Sequence, residues 1–85
     1  MLLLEFYKPD CDYCDSMNIA INSLAKDFKK KYTVKRISTT DSPQLSELFG
    51  IQVVPTLVLM REGKELKRSI GAISKSEIRE FLTEA

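Results

Sequence analysis

Residues 5–14 read Glu5-Phe6-Tyr7-Lys8-Pro9-Asp10-Cys11-Asp12-Tyr13-Cys14. The first half of this stretch completes an apolar run, Leu2 to Tyr7, with one acid inside it, which reads as a strand buried on both faces. Pro9 and Asp10 interrupt that strand. From Cys14 onward Met17, Ile21, Leu24 and Phe28 recur at helical spacing, predicting a long amphipathic helix. The chain's only two cysteines therefore fall where a strand gives way to a helix, with two residues between them.

That placement suits thiol chemistry. Cys11 falls at the N-terminus of the predicted helix, where unpaired backbone N–H groups and the helix dipole stabilise a thiolate. The thiolate is the reactive form of cysteine, so this environment favours nucleophilic attack. Cys14, one turn further on, is near enough to attack a mixed disulfide formed at Cys11 and close a Cys11–Cys14 disulfide. Two other readings of the pair stay open. Tetrahedral zinc needs four ligands, and with no histidine and no further cysteine the metal would require two chains sharing one site. A purely structural disulfide closing so short a loop adds little stability.

Composition narrows the alternatives. At 85 residues and 44% hydrophobic content the chain is expected to form one folded domain, residues 1–85. The absence of histidine removes the commonest general base and any Ser-His or Cys-His nucleophile pair. A net charge of +1 gives no general attraction to nucleic acid or membranes. The opening Met1-Leu2-Leu3-Leu4 lacks the positive region of a signal peptide, and Glu5 and Lys8 end its apolar run early. A cytoplasmic protein that neither spans nor binds membranes is expected.

Outward from the cysteines, Lys29-Lys30-Lys31 places cations where the dipole at the helix end favours them. Tyr32 to Ser38 reads as a second strand. Asp41-Ser42-Pro43 starts a short helix that Gly50 stops. Val53 to Met60 reads as a third strand with Pro55 near its beginning, and Glu62-Gly63 turns the chain into a fourth, Glu65 to Ile70, whose lysines and Arg68 suit an edge. Ser74 and Glu77 have capping-box spacing, Ile73 and Ile78 that of a hydrophobic staple, and Ile78, Phe81 and Leu82 form the apolar face of a last helix. The order β-α-β-α-β-β-α predicts an α/β fold: a four-stranded mixed sheet flanked by three helices.

Three segments in this order resemble the thioredoxin and glutaredoxin superfamily: Glu5 to Cys14 its active-site strand and loop, Val54-Pro55-Thr56 its cis-proline segment, and Gly71-Ala72 with the closing helix a thioredoxin C-terminus. The chain begins at the active-site strand and in this is similar to glutaredoxins and to short thioredoxin-like proteins. The resemblance implies a thioredoxin fold and thiol-disulfide exchange without a bound cofactor. Cys11 would be the nucleophile, Cys14 the resolving cysteine, and the Cys11–Cys14 disulfide the redox centre. Pro55 would be cis and lie against the disulfide, with the backbone of Val54 pairing with an extended substrate, and Asp12, Tyr13 and Thr56 beside it.

Glu5 stands six residues before Cys11, where thioredoxins carry a buried acid that assists proton transfer with the resolving cysteine. An acid in an apolar strand is expected to have a raised pKa. Arg36 falls where thioredoxins place a lysine near that acid, and a Glu5–Arg36 pair would oppose the rise. A solvated strand position is the alternative for Glu5. Tyr13 before Cys14 is glutaredoxin-like, and Lys8 matches a basic position that glutaredoxins use for glutathione, whereas the glutaredoxin Gly-Gly-x-Asp segment is replaced by Arg68-Ser69-Ile70-Gly71. Asp10, Asp12 and Asp15 complement the helix N-terminus but oppose thiolate formation at Cys11, which predicts a more reducing couple. The expected partners are disulfide-containing proteins and, as electron donor, a thioredoxin reductase or glutathione, with the chain acting as a monomer. A glutathione-linked oxidoreductase and a non-catalytic binding module are the alternatives.

Overall fold

The opening apolar run forms strand β1 (Leu2–Tyr7), and the Pro9-Asp10 interruption separates it from helix α1 (Asp12–Phe28) in a computed structural model that describes residues 1–28 and 31–83. Strand β2 (Thr33–Ser38), helix α2 (Pro43–Leu48), strands β3 (Thr56–Arg61) and β4 (Lys64–Ile70) and helix α3 (Lys75–Thr83) follow. The strands lie in the order β2-β1-β3-β4. β1 runs parallel to β2 and antiparallel to β3, which is antiparallel to β4. This is the four-stranded mixed sheet with three helices expected of a thioredoxin fold.

β1 has a neighbour on each side and a helix layer on each face. Leu3 packs with Met17, Ile21 and Leu24 of α1, Leu57 and Leu59 of β3, and Ile78 and Leu82 of α3. Leu4 and Phe6, pointing the other way, pack with Val58, and Ile37, Phe49 and Ile51 close that cluster. The ring centroids of Phe6 and Phe49 lie 5.5 Å apart in a tilted pair. Along α1 the buried residues Cys14, Met17, Ile21 and Leu24 make one stripe, so the same periodicity that covers the sheet also carries Cys14 inward.

The capping box of α3 is closed in both directions. The Glu77 amide donates to Ser74 Oγ at 3.1 Å, and the Ser74 amide donates to Glu77 Oε1 at 3.1 Å. Ile73 packs beside the fully buried Ile78 as the staple requires. The Tyr32 hydroxyl donates to the Leu82 carbonyl and ties the end of this helix to the start of β2. Glu62 and Gly63, with φ of 52° and 80°, supply the left-handed pair that a two-residue hairpin needs between β3 and β4.

The starts of β2 and β4 differ from the sequence reading by one residue, and that of the third strand by more. The third strand begins at Thr56 rather than Val53. Pro55 has no N–H to give a ladder, and the Val53 carbonyl instead accepts from the Thr56 hydroxyl at 2.6 Å, forming a tight turn. α2 begins at Pro43 as expected, but Ser42 caps it without a side-chain bond; its carbonyl accepts from the Ser46 amide and hydroxyl. Lys29 and Lys30, assigned to the end of α1, lie outside the described residues.

The two kinds of contact should separate in magnitude. Leu57→Ala, at a fully buried position between β1 and α3, is expected to cost about 2–5 kcal/mol, and Ser74→Ala about 1 kcal/mol. Urea unfolding of both variants checks this; equal losses would mean that the cap, not the core, anchors α3.

Candidate active site

Cys11 is the residue immediately before α1, and its carbonyl accepts the helix's first bond from the Asp15 amide at 3.1 Å. The Cys14 amide donates to Cys11 Sγ at 3.2 Å. The sulfur thus takes the place that a serine or aspartate oxygen takes in a capped helix, with a third-position N–H pointed at it. Asp10, with φ of 57°, supplies the left-handed residue that swings the chain from Pro9 into this cap. Cys11 and Cys14 are joined in a disulfide, their Cα atoms 5.2 Å apart.

The two sulfurs are not equivalent. Cys11 retains 9% exposure and Cys14 none, so only Cys11 can be approached from outside. The sheet brings the remaining candidates to the same edge. Phe6 is opposite Thr56, and Thr56 opposite Ile70, so the residues just beyond these strand ends share one rim: Lys8 to Cys14, Val53 to Pro55, and Gly71 to Ile73. The Val54–Pro55 peptide is cis, as the resemblance implied, and Pro55 and Thr56 are buried while Val54 is partly exposed. The Gly71 amide donates to the Pro55 carbonyl at 2.8 Å, which fixes the proline loop against the end of β4. Lys8 and Asp12 are exposed, and Tyr13 is 71% exposed beside the disulfide.

A hollow of about 270 Å³ runs along one side of the rim between Tyr13, Met17, Ala72 and Ile73. A larger one, about 610 Å³, lies between Met1, Lys31, Met60 and Arg61 at the opposite edge of the sheet, away from the cysteines. Among the described residues no group of three or more histidine, cysteine, aspartate or glutamate side chains is placed to hold a metal.

Glu5 is fully buried. Strand alternation puts it on the face of Leu3, beneath α1, and not at the solvated position that the sequence left open. Neither carboxyl oxygen has a hydrogen-bond partner. Arg36, opposite Glu5 in the β1–β2 register, brings Nε to 3.4 Å from Oε2, a charge contact without hydrogen-bond geometry. Burial pushes the Glu5 pKa above its ordinary value of 4.5; Arg36 pulls it back in part, and the charge of Asp15 adds to the rise. The contest that the sequence could not decide thus goes to burial.

Sequence reasoning missed the rest of the Arg36 environment. Its Nη2 lies 3.9 Å from Asp15 Oδ1, and its guanidinium carbon stands 3.8 Å from the Tyr7 ring centroid. The two-residue alternation that puts Tyr7 on the face of Glu5 was the available signal. Nothing local in the sequence points from Asp15 to Arg36.

The sequence model of the thioredoxin family matches residues 1–84. The chain is 35% identical over 77 residues to the chloroplast M-type thioredoxin of Zea mays, which covers 91% of this chain and 46% of that protein. It is 28% identical over 81 residues to the thioredoxin of Porphyra purpurea, covering 95% of this chain and 76% of that one. The chain thus spans less than half the length of the maize relative. Among solved structures, the germline-specific thioredoxin Deadhead of Drosophila melanogaster superposes with a TM-score of 0.91 at 25% identity, covering 98% of this chain and 78% of that one. A thioredoxin variant from Halobacterium salinarum shares the fold, with a TM-score of 0.87 at 23% identity and coverage of 98% and 72%.

The raised Glu5 pKa has a signed consequence for stability. Below the unfolded value both states carry the neutral acid, and the group is neutral in its effect. As pH rises toward the folded value, ionisation favours the unfolded chain and stability falls. Glu5→Gln removes this dependence, so its stability relative to the parent is expected to improve as pH rises above the ordinary value of 4.5. Urea midpoints of the two oxidised proteins across that range check it; parallel curves would show that Glu5 titrates alike in both states.

Proposed function

The chain belongs to the thioredoxin family, and from that premise we propose that it is a protein thiol-disulfide oxidoreductase that reduces disulfides through Cys11 and Cys14. The observation that carries the reading is the unequal pair of sulfurs: Cys11, reachable and facing a helix amide, and Cys14, closed off behind it. The reduced Cys11 thiolate attacks one sulfur of the substrate disulfide. That bond breaks, one substrate sulfur leaves as a thiolate, and a mixed disulfide to Cys11 forms. Cys14 gives its proton to the Glu5 carboxylate and attacks Cys11 Sγ, expelling the second substrate sulfur. Two electrons pass to the substrate, and the Cys11–Cys14 disulfide remains for a donor to reduce.

Within this reading Cys11, Cys14 and Glu5 are the catalytic residues. Tyr13, Val54, Pro55 and Thr56 line the substrate's path, with Asp12 and Lys8 at its border. Residues 1–85 act as one monomeric unit without a bound cofactor, in the cytoplasm. The electron donor is a flavin-dependent thioredoxin reductase, a choice supported by the family match over residues 1–84. A glutathione-fed cycle is the second reading, favoured by the exposed Tyr13 beside Cys14 and the exposed Lys8.

Cys14→Ser, once reduced, is expected to halt the cycle at the mixed disulfide and accumulate a covalent adduct with disulfide-containing protein substrates, whereas Cys11→Ser forms none. Mass spectrometry after incubation with insulin distinguishes them; adducts on Cys14 would reverse the assigned roles. The couple is expected near or below about −270 mV against dithiothreitol buffers. A potential well above about −200 mV, with rapid reduction by glutathione alone, would favour the second reading.

A further inference from the structure

We propose that Asp15 is a positioning residue that shares the Arg36 guanidinium with Glu5 and so governs how much of that countercharge reaches the buried acid. The inference rests on the redox reading for its chemical purpose, and on geometry for its substance.

A fully buried carboxyl with no hydrogen bond on either oxygen is an exception among polar groups, the more so when a guanidinium lies beside it. Arg36 has five N–H donors and is within reach. Its position accounts for the shortfall. Nε stands off Glu5 at 3.4 Å, Nη2 leans toward Asp15 at 3.9 Å, and the guanidinium carbon lies over the Tyr7 ring. Tyr7 and Asp15 thus hold the cation at the border of the Glu5 pocket, its side chain 32% exposed, instead of letting it turn fully inward.

The other surroundings of Glu5 offer no substitute. β3 presents Leu57 opposite it, and α3 contributes Ile78 and Leu82 to the same layer. α1 contributes Cys14, bonded to Cys11 here, and Asp15. Arg36 from β2 is the cation and Asp15 the anion that bear on this carboxyl. Asp15 directly follows Cys14 in the first turn of α1, so the group that diverts the countercharge is covalently next to the resolving cysteine.

The consequence is a carboxyl that holds its proton while the disulfide is closed. When a donor opens the disulfide, Cys14 leaves as a thiolate and takes that proton from Glu5. When Cys14 next attacks a mixed disulfide, the proton returns to Glu5. Without Asp15, Arg36 is free to make charge-assisted bonds to Glu5, which then stays ionised and has no proton to hand to Cys14.

The test is a pH titration of the Glu5 side-chain carboxyl by ¹³C NMR in the oxidised protein, where neither cysteine titrates. Asp15→Asn is expected to move the midpoint down and Arg36→Met to move it up. In the Arg36→Met background, Asp15→Asn is expected to produce a clearly smaller downward shift, because only the direct charge of Asp15 on Glu5 remains. An unchanged midpoint in Asp15→Asn, or an equal shift with and without Arg36, overturns the proposal. The pH profile of mixed-disulfide resolution in Asp15→Asn is expected to move downward with the titration, and a profile that stays fixed while the midpoint moves also overturns it. Loss of all disulfide exchange in the parent protein would instead refute the redox reading, and the NMR midpoints would still decide the Asp15–Arg36 coupling.

Discussion

β1 is enclosed on every side, by β2 and β3 in the sheet and by apolar layers above and below, and this enclosure dictates what its side chains can be. Six residues are enough for the strand to set the two clusters, Leu3 for one and Leu4 and Phe6 for the other. The same enclosure makes the single acid in the strand chemically unusual. A carboxyl at Glu5 cannot be solvated, so its charge depends on what the neighbouring strand and the helix above bring to it. Because β1 runs straight into the cysteine loop, the most constrained strand of the fold is also the one that delivers the reactive residues to the rim.

Burial and ion pairing act on Glu5 in opposite senses, and the geometry explains which prevails. A guanidinium in hydrogen-bond contact would hold a carboxylate ionised even in a dry pocket. Arg36 is near, yet it is divided among Glu5, Asp15 and the Tyr7 ring. A countercharge spread over three partners stabilises each of them less than one committed to a single partner. The buried acid is therefore only partly compensated, and burial keeps its pKa above the ordinary value.

What the sequence made legible was local. The cysteine spacing, the strand-to-helix junction, the Ser74–Glu77 box and the Glu62-Gly63 turn each lie within a few residues, and each appears where the pattern put it. The start of the third strand was not legible, because Val53 and Val54 have strand-like side chains while the missing N–H that ends the ladder belongs to Pro55. Arg36 was placed near Glu5 through the family resemblance, but its sharing with Asp15 and Tyr7 depends on the β1–β2 register and on how α1 is seated. Those are properties of the assembled layers, and no short-range spacing encodes them.

The two cysteines are tuned by opposite physical means. Cys11 sits where the helix N-terminus offers an N–H to its sulfur, an arrangement that favours charge. Cys14 sits where solvent is excluded, an arrangement that disfavours it. In the proposed exchange, one turn of helix separates the sulfur that attacks first from the one that needs a proton acceptor when it reacts. A buried carboxyl with a raised pKa is suited to that second need and of no use to the first. Under the proposed function, the asymmetry of the disulfide and the presence of Glu5 in the central strand are two parts of one requirement: the first sulfur must attack freely, and the second only after the first is engaged.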